Sequence, residues 1–147
     1  MQGFWMNRKT TIARQLLRGE TVIVFPHGKS MNPLFREGDT YVVVKPGAED
    51  LQVNDLPLFI WGEHRYIIHR IIRITDEAYY TRGDNCIGTE KVLKKHVLGV
   101  VTEICRRGKI IKVTDKRYKL YVKVWQATSA LRIALLRIRA GGRCLWK

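Results

Sequence analysis

Residues 26–39 read Pro26-His27-Gly28-Lys29-Ser30-Met31-Asn32-Pro33-Leu34-Phe35-Arg36-Glu37-Gly38-Asp39. This turn-rich stretch lies between two runs of strand character, Thr21–Phe25 (TVIVF) and Thr40–Lys45 (TYVVVK). β-branched side chains favour a pleated surface, and Pro26 and Pro46-Gly47 close the two runs. The same pattern continues outward. Leu56–Trp61 predicts a third strand ending at a Gly62-Glu63 turn, and Arg65–Thr75 (RYIIHRIIRIT) a long fourth. A turn at Asp76-Glu77 leads into Ala78–Arg82. Val97–Cys105 and Lys109–Val113 flank Arg106-Arg107-Gly108, which predicts a hairpin. About seven short strands punctuated by turn residues predict a mainly β chain with an antiparallel sheet or barrel. Pro57 inside the third strand predicts an edge or a bulge there.

The flanks read as helix. Residues 8–19 place Ile12, Leu16 and Leu17 on one side and end at Gly19. Residues 117–140 repeat Leu120, Val124, Trp125, Ala127, Leu131, Leu135, Leu136 and Ile138 at helical spacing, punctuated by Lys119, Lys123, Arg132, Arg137 and Arg139. That pattern predicts a basic amphipathic helix ended by Gly141-Gly142. Its apolar face can pack on the β domain or lie on a membrane, and Trp125 and Trp146 are aromatics of the interfacial type. The expected organisation is a β domain over 1–115 and a basic helical arm over 116–147.

Charge separates the same two regions. The chain has 27 Lys+Arg against 13 Asp+Glu, a net of +14. Residues 1–104 hold 14 basic and 12 acidic residues, whereas residues 105–147 hold 13 basic residues and only Asp115 as an acid. A basic arm implies an anionic partner: a lipid surface, nucleic acid or an acidic protein. The three cysteines, Cys86, Cys105 and Cys144, show no metal-ligand spacing and read as reduced thiols. Neither a secretory run at Met1–Lys9 nor an uncharged apolar stretch of roughly 18 residues is found, which predicts a cytoplasmic chain, peripheral at a membrane if it binds one. No cofactor and no metal are implied.

The loop around Ser30 is the richest in chemistry. Gly28 and Pro33 bend the backbone around an exposed serine, and a serine on a tight loop can offer both its hydroxyl and nearby N–H groups to a carbonyl. Taken alone, the loop reads equally well as an ordinary turn with a capping serine. His69, between isoleucines, reads alone as a satisfied core histidine, and Asp84 as a turn residue. Lys29 diverges from Ser30 on an extended loop. His27 is a weak alternative base, His64 reads as solvated, His96 carries no argument, and Asp39 reads as structural.

Four segments in order change that balance. Gly28-Lys29-Ser30-Met31-Asn32-Pro33 with Gly38-Asp39 resembles the nucleophile box of the signal peptidase I and LexA-like superfamily. Tyr66–Ile72 resembles its second box, where the general base precedes an arginine. Gly83-Asp84-Asn85 resembles the third, and Leu98-Gly99-Val100-Val101 the strand that follows. The resemblance runs from about Thr21 to Cys105 and implies the antiparallel β fold of that superfamily, with Ser30 as nucleophile and its own N–H in the oxyanion hole. Most members use a lysine base. His69 in that position resembles the endoplasmic-reticulum type, in which Asp84 would orient the histidine, and Gly28 and Met31 would line the substrate cleft. A histidine base works near neutral pH without a large pKa depression. The chain departs from the family in lacking a transmembrane anchor and a DNA-binding domain; the stretch before Ser30 is shorter than the roughly 50 residues of a minimal helix-turn-helix reader. Asn54-Asp55 also replaces the usual Gly-Asp.

The expected function is therefore a serine endopeptidase that cuts an extended segment of a leader peptide or partner protein. Two alternatives accompany it. One is a non-catalytic peptidase-fold module whose basic arm binds membrane through residues 117–140, or nucleic acid. The other is a self-cleaving regulator, with Ala140-Gly141 as the type of bond cut.

Overall fold

A computed structural model describes residues 12–63 and 65–140, the side chain of Ala140 excepted. His64, Cys144, Trp146, Gly141-Gly142 and the Ala140–Gly141 bond lie outside the described residues.

The chain is mainly β. Helix α1 (12–17) leads to β1 (Val22–Val24), β2 (Thr40–Pro46), β3 (Pro57–Trp61), β4 (Arg65–Ile68), β5 (Arg70–Ile74), β6 (Ala78–Arg82) and β7 (Glu90–Leu93). A 3-10 turn (Lys94–His96), β8 (Val97–Arg106), β9 (Lys109–Lys112), α2 (Lys116–Ala127) and α3 (Ser129–Ala140) follow. All pairings are antiparallel. One sheet runs β1-β2-β8-β3-β4 with β9 also on β8, and the other runs β5-β6-β7.

Two differences from the expected strands bear on the site. The single strand expected over 65–75 is divided at His69, with β4 in the larger sheet and β5 in the smaller. β7 is not among the predicted strands; it pairs with β6 and brings Glu90 opposite Thr81. Elsewhere the local chemistry matches the structure. Arg107 and Gly108 both take positive φ, 49° and 77°, as a two-residue hairpin turn between Arg106 and Lys109 requires. Pro57 opens β3 rather than lying inside it, and the register shifts just beyond it, between Leu58 and Phe59, which is the expected bulge.

Alternate residues of β2 face inward, with Val42 and Val44 fully buried. They share the main core with Leu16 of α1, Met31 and Phe35 of the Ser30 loop, and Tyr118 and Val122 of α2. A second core, centred on Phe59, Ile71 and Tyr79, joins β3 to the smaller sheet. The expected single helix over 117–140 is two helices. Thr128 Oγ1 donates to the carbonyls of Val124 and Trp125, both at 3.1 Å, and this competition with the backbone bends a helix. No helix among the described residues is long and apolar enough to cross a membrane.

Candidate active site

The Ser30 loop is held from both sides. Gly28 has φ +85°, a left-handed conformation that favours glycine. Its N–H donates to Glu37 Oε2 at 3.3 Å, while His27 Nδ1 meets Glu37 Oε1 at 3.2 Å. The hydrogen bond with His27 lowers the Glu37 carboxyl below its ordinary pKa. Met31, Leu34 and Phe35 are buried anchors. Ser30 remains half-buried at the loop surface.

The Gly83-Asp84-Asn85 turn fastens this loop close to His69. Asn85 N–H donates to the Ser30 carbonyl at 2.8 Å, and Asn85 Nδ2 donates to the Lys29 carbonyl at 3.1 Å. Asp84 N–H donates to Met31 Sδ at 3.4 Å. Gly83 sits where chains converge. A Cβ there would lie 2.6 Å from the Ser30 carbonyl oxygen and 3.1 Å from His69 Nε2. So the Ser30 main chain and the Nε2 edge of His69 are neighbours, and only a glycine fits between them.

His69 occupies the crossing between the two sheets and is 1% exposed. Its Nδ1 lies 3.1 Å from Glu90 Oε2, and Thr81 Oγ1 donates to that same oxygen at 2.9 Å. All three groups are buried. A carboxylate at Nδ1 is the arrangement that, in Ser-His-Asp sites, favours the proton on that nitrogen and turns Nε2 toward the serine. Phe59 packs edge-on to the imidazole, with ring centroids 6.3 Å apart.

Asp84 was the residue expected to orient His69, and the structure corrects this. Its two oxygens accept from Arg70 Nε and Nη2, both at 2.7 Å. Arg70 is wholly buried and also donates to the Asn54 carbonyl at 3.1 Å and to Tyr118 Oη at 3.3 Å. Burial opposes its charge, but the Asp84 carboxylate more than offsets that, so the Arg70 pKa is raised. A strand side chain adjacent to His69 points to the opposite face, and Asp84 follows Arg70 there. Glu90 takes the place at Nδ1. Sequence reasoning missed it and Thr81 because β7 was not recognised. The available signal was the short Glu90-Lys91-Val92-Leu93 alternation.

Ser30, Met31, Gly28 and His69 all line one cleft of about 540 Å³. Its walls are Ile23 and Val24 of β1 with Phe25 just beyond it, and Arg65–Ile68 of β4. These strands stand at the two ends of the β1-β2-β8-β3-β4 order, and among the described residues each pairs with one strand, β2 and β3 respectively. Among the described residues that line the cleft, none is lysine. His27, the weak alternative base, is 82% exposed and engaged with Glu37. No group of metal-ligating side chains occurs among the described residues. A scan of protein-family models and a search of curated proteins return no match for this chain.

Proposed function

We propose that this chain is a serine peptidase of the signal peptidase and LexA-like type, with Ser30 as nucleophile, His69 as general base and Glu90 as the carboxylate that orients it. The observation that carries this reading is the imidazole of His69. Its Nδ1 is fixed by a buried carboxylate, and its other edge faces the Gly83 corner where Ser30 also approaches. A merely structural histidine needs no serine-lined cleft on its second nitrogen.

The chemistry follows from that arrangement. His69 Nε2 takes the Ser30 hydroxyl proton as Oγ bonds to the substrate carbonyl carbon, and the Ser30 N–H is the family's donor to the resulting oxyanion. The imidazolium then protonates the departing amine as the C–N bond breaks, leaving an ester on Ser30. Water attacks that ester, His69 takes its proton, and the acid product leaves as Oγ regains the proton. The substrate lies extended between β1 and β4, adding a strand to an open sheet edge. Exposed Ile23 and Phe25 on the β1 wall favour apolar side chains there.

A fluorophosphonate probe tests the reading. It is expected to label Ser30 in the native chain and to fail with Ser30→Ala and His69→Ala. Labelling that survives in Ser30→Ala places the nucleophile elsewhere.

A second expectation concerns Gly83. The methyl of Gly83→Ala meets the Ser30 carbonyl oxygen at 2.6 Å, a backbone atom that cannot rotate away. The loop must shift relative to His69, and displacements of this kind cost about 100-fold in rate. The labelling rate of Ser30 measures it, with a melting curve to establish that the variant is folded. A wild-type rate would mean that the serine and histidine need not hold this separation.

A further inference from the structure

The arm is anchored at its bend, and beyond it one side carries exposed apolar side chains. Tyr118 and Val122 turn one face of α2 into the main core. At the bend, Arg132 stacks on Trp125 with its guanidinium 3.6 Å from the ring centroid. Its Nη1 donates to the Asp84 carbonyl at 2.9 Å, and its Nη2 donates to the Trp125 carbonyl. Trp125 and Arg132 are therefore committed to holding α3 against the third box, and neither serves as a surface anchor.

The outward side of the arm has a different composition. Leu131, Leu135 and Ile138 recur at i, i+4 and i+7 and are 63%, 47% and 79% exposed. Arg137 and Arg139 are also exposed, on either side of that stripe. On α2, Leu120 and Val124 are exposed at 62% and 56%, with Lys119 and Lys123 beside them. Residues 116–140 contain no acidic residue at all.

Three occupants are conceivable, and charge separates them. A second copy would bring the same cationic face against this one, with no carboxylates in either helix to relieve the repulsion. Nucleic acid would use the cations but leave the leucine and isoleucine stripe in water. A bilayer with anionic headgroups satisfies both: the stripe enters the acyl boundary while Lys and Arg reach the phosphates. We propose that the Leu131–Leu135–Ile138 face of α3, with its flanking arginines, docks on an anionic membrane surface. Through Arg132, that surface then lies beside Asp84 and the Ser30 loop that Asp84 touches. The proposal does not depend on the peptidase reading.

Co-sedimentation of the full chain with vesicles tests it directly. Binding is expected to vesicles containing phosphatidylglycerol, to weaken with salt, and to be slight on phosphatidylcholine alone. Leu135→Glu/Ile138→Glu should abolish binding. Arg137→Gln/Arg139→Gln should weaken it by about tenfold or more, since each basic residue at such a surface contributes several-fold. All four side chains are exposed, so the melting temperature should hold in both variants. Equal binding to the two vesicle types would overturn the proposal, as would binding unchanged in both variants. Absence of vesicle binding overturns it too. In that case an oligomer lost in Leu135→Glu/Ile138→Glu would assign the face to a second copy, and a DNA shift lost in the arginine variant would assign it to nucleic acid.

Discussion

Asp84→Ala is expected to destabilise the fold by about 3–5 kcal/mol, the cost of leaving a buried guanidinium without its carboxylate. Arg70 is wholly buried, and the two 2.7 Å bonds from Nε and Nη2 are its only charged partners among the described residues. The Asn54 carbonyl and the Tyr118 hydroxyl remain after the substitution, but neither carries charge. Against a typical total of about 5–15 kcal/mol, this is a large fraction of the stability of a domain. Urea unfolding measures the loss. Arg70→Met/Asp84→Leu removes both charges together and should recover much of it, because an apolar pair of similar volume often equals or exceeds a buried ion pair. If Asp84→Ala were to unfold like the native chain while Ser30 labelling vanished, Asp84 would return to the catalytic role that the Gly-Asp-Asn resemblance assigns it.

Asp84 also illustrates how far the sequence can be read. The strands at Thr40–Pro46 and Val97–Arg106 were legible because β-branched runs end at turn residues, and the hairpin at Arg106-Arg107-Gly108 because a glycine-bearing turn separates two strand-like runs. The helical period of the arm was legible as well. Its bend was not, since it depends on the Thr128 hydroxyl competing for two carbonyls. The division at His69 left no trace in RYIIHRIIRIT, where the apolar character continues across the break. What splits that run is tertiary: β4 pairs with β3, and β5 with β6. The site follows the same rule. Ser30 and His69 could be named from ordered segments, but which carboxylate reaches Nδ1 is decided by sheet register. The Thr81–Glu90 pairing sets Glu90 toward the histidine, while Asp84, only two residues beyond the end of β6, turns to Arg70. Gly-Asp-Asn is thus legible as a motif but not as a set of contacts. Its aspartate links β5, the Ser30 loop and the arm through Arg70, Met31 and Arg132.

Glu90→Gln should behave in the opposite manner to Asp84→Ala: little change in stability and a loss of about 10³–10⁴-fold in Ser30 reactivity, as when the orienting carboxylate of a Ser-His-Asp site becomes an amide. The side chain keeps its size, and the Thr81–Glu90 strand pairing does not depend on the carboxylate. Two physical changes underlie the loss. A neutral amide no longer stabilises the imidazolium that forms as Ser30 attacks. The amide can also turn its NH₂ toward His69, since Thr81 Oγ1 can accept as readily as it now donates to Oε2. Nδ1 would then be the acceptor and Nε2 would carry the proton, which leaves no base for the Ser30 hydroxyl. Glu90→Asp keeps the charge but shortens the reach from its 3.1 Å contact, and should fall between the native chain and Glu90→Gln. Proton NMR supplies an observation independent of rate: the hydrogen-bonded Nδ1–H of His69 should give a downfield resonance in the native chain that is lost in Glu90→Gln. If Glu90→Gln labels within about tenfold of the native rate, the carboxylate neither fixes the tautomer nor stabilises the imidazolium to the extent such sites require. His69 would then be a core histidine that happens to border a serine-lined cleft.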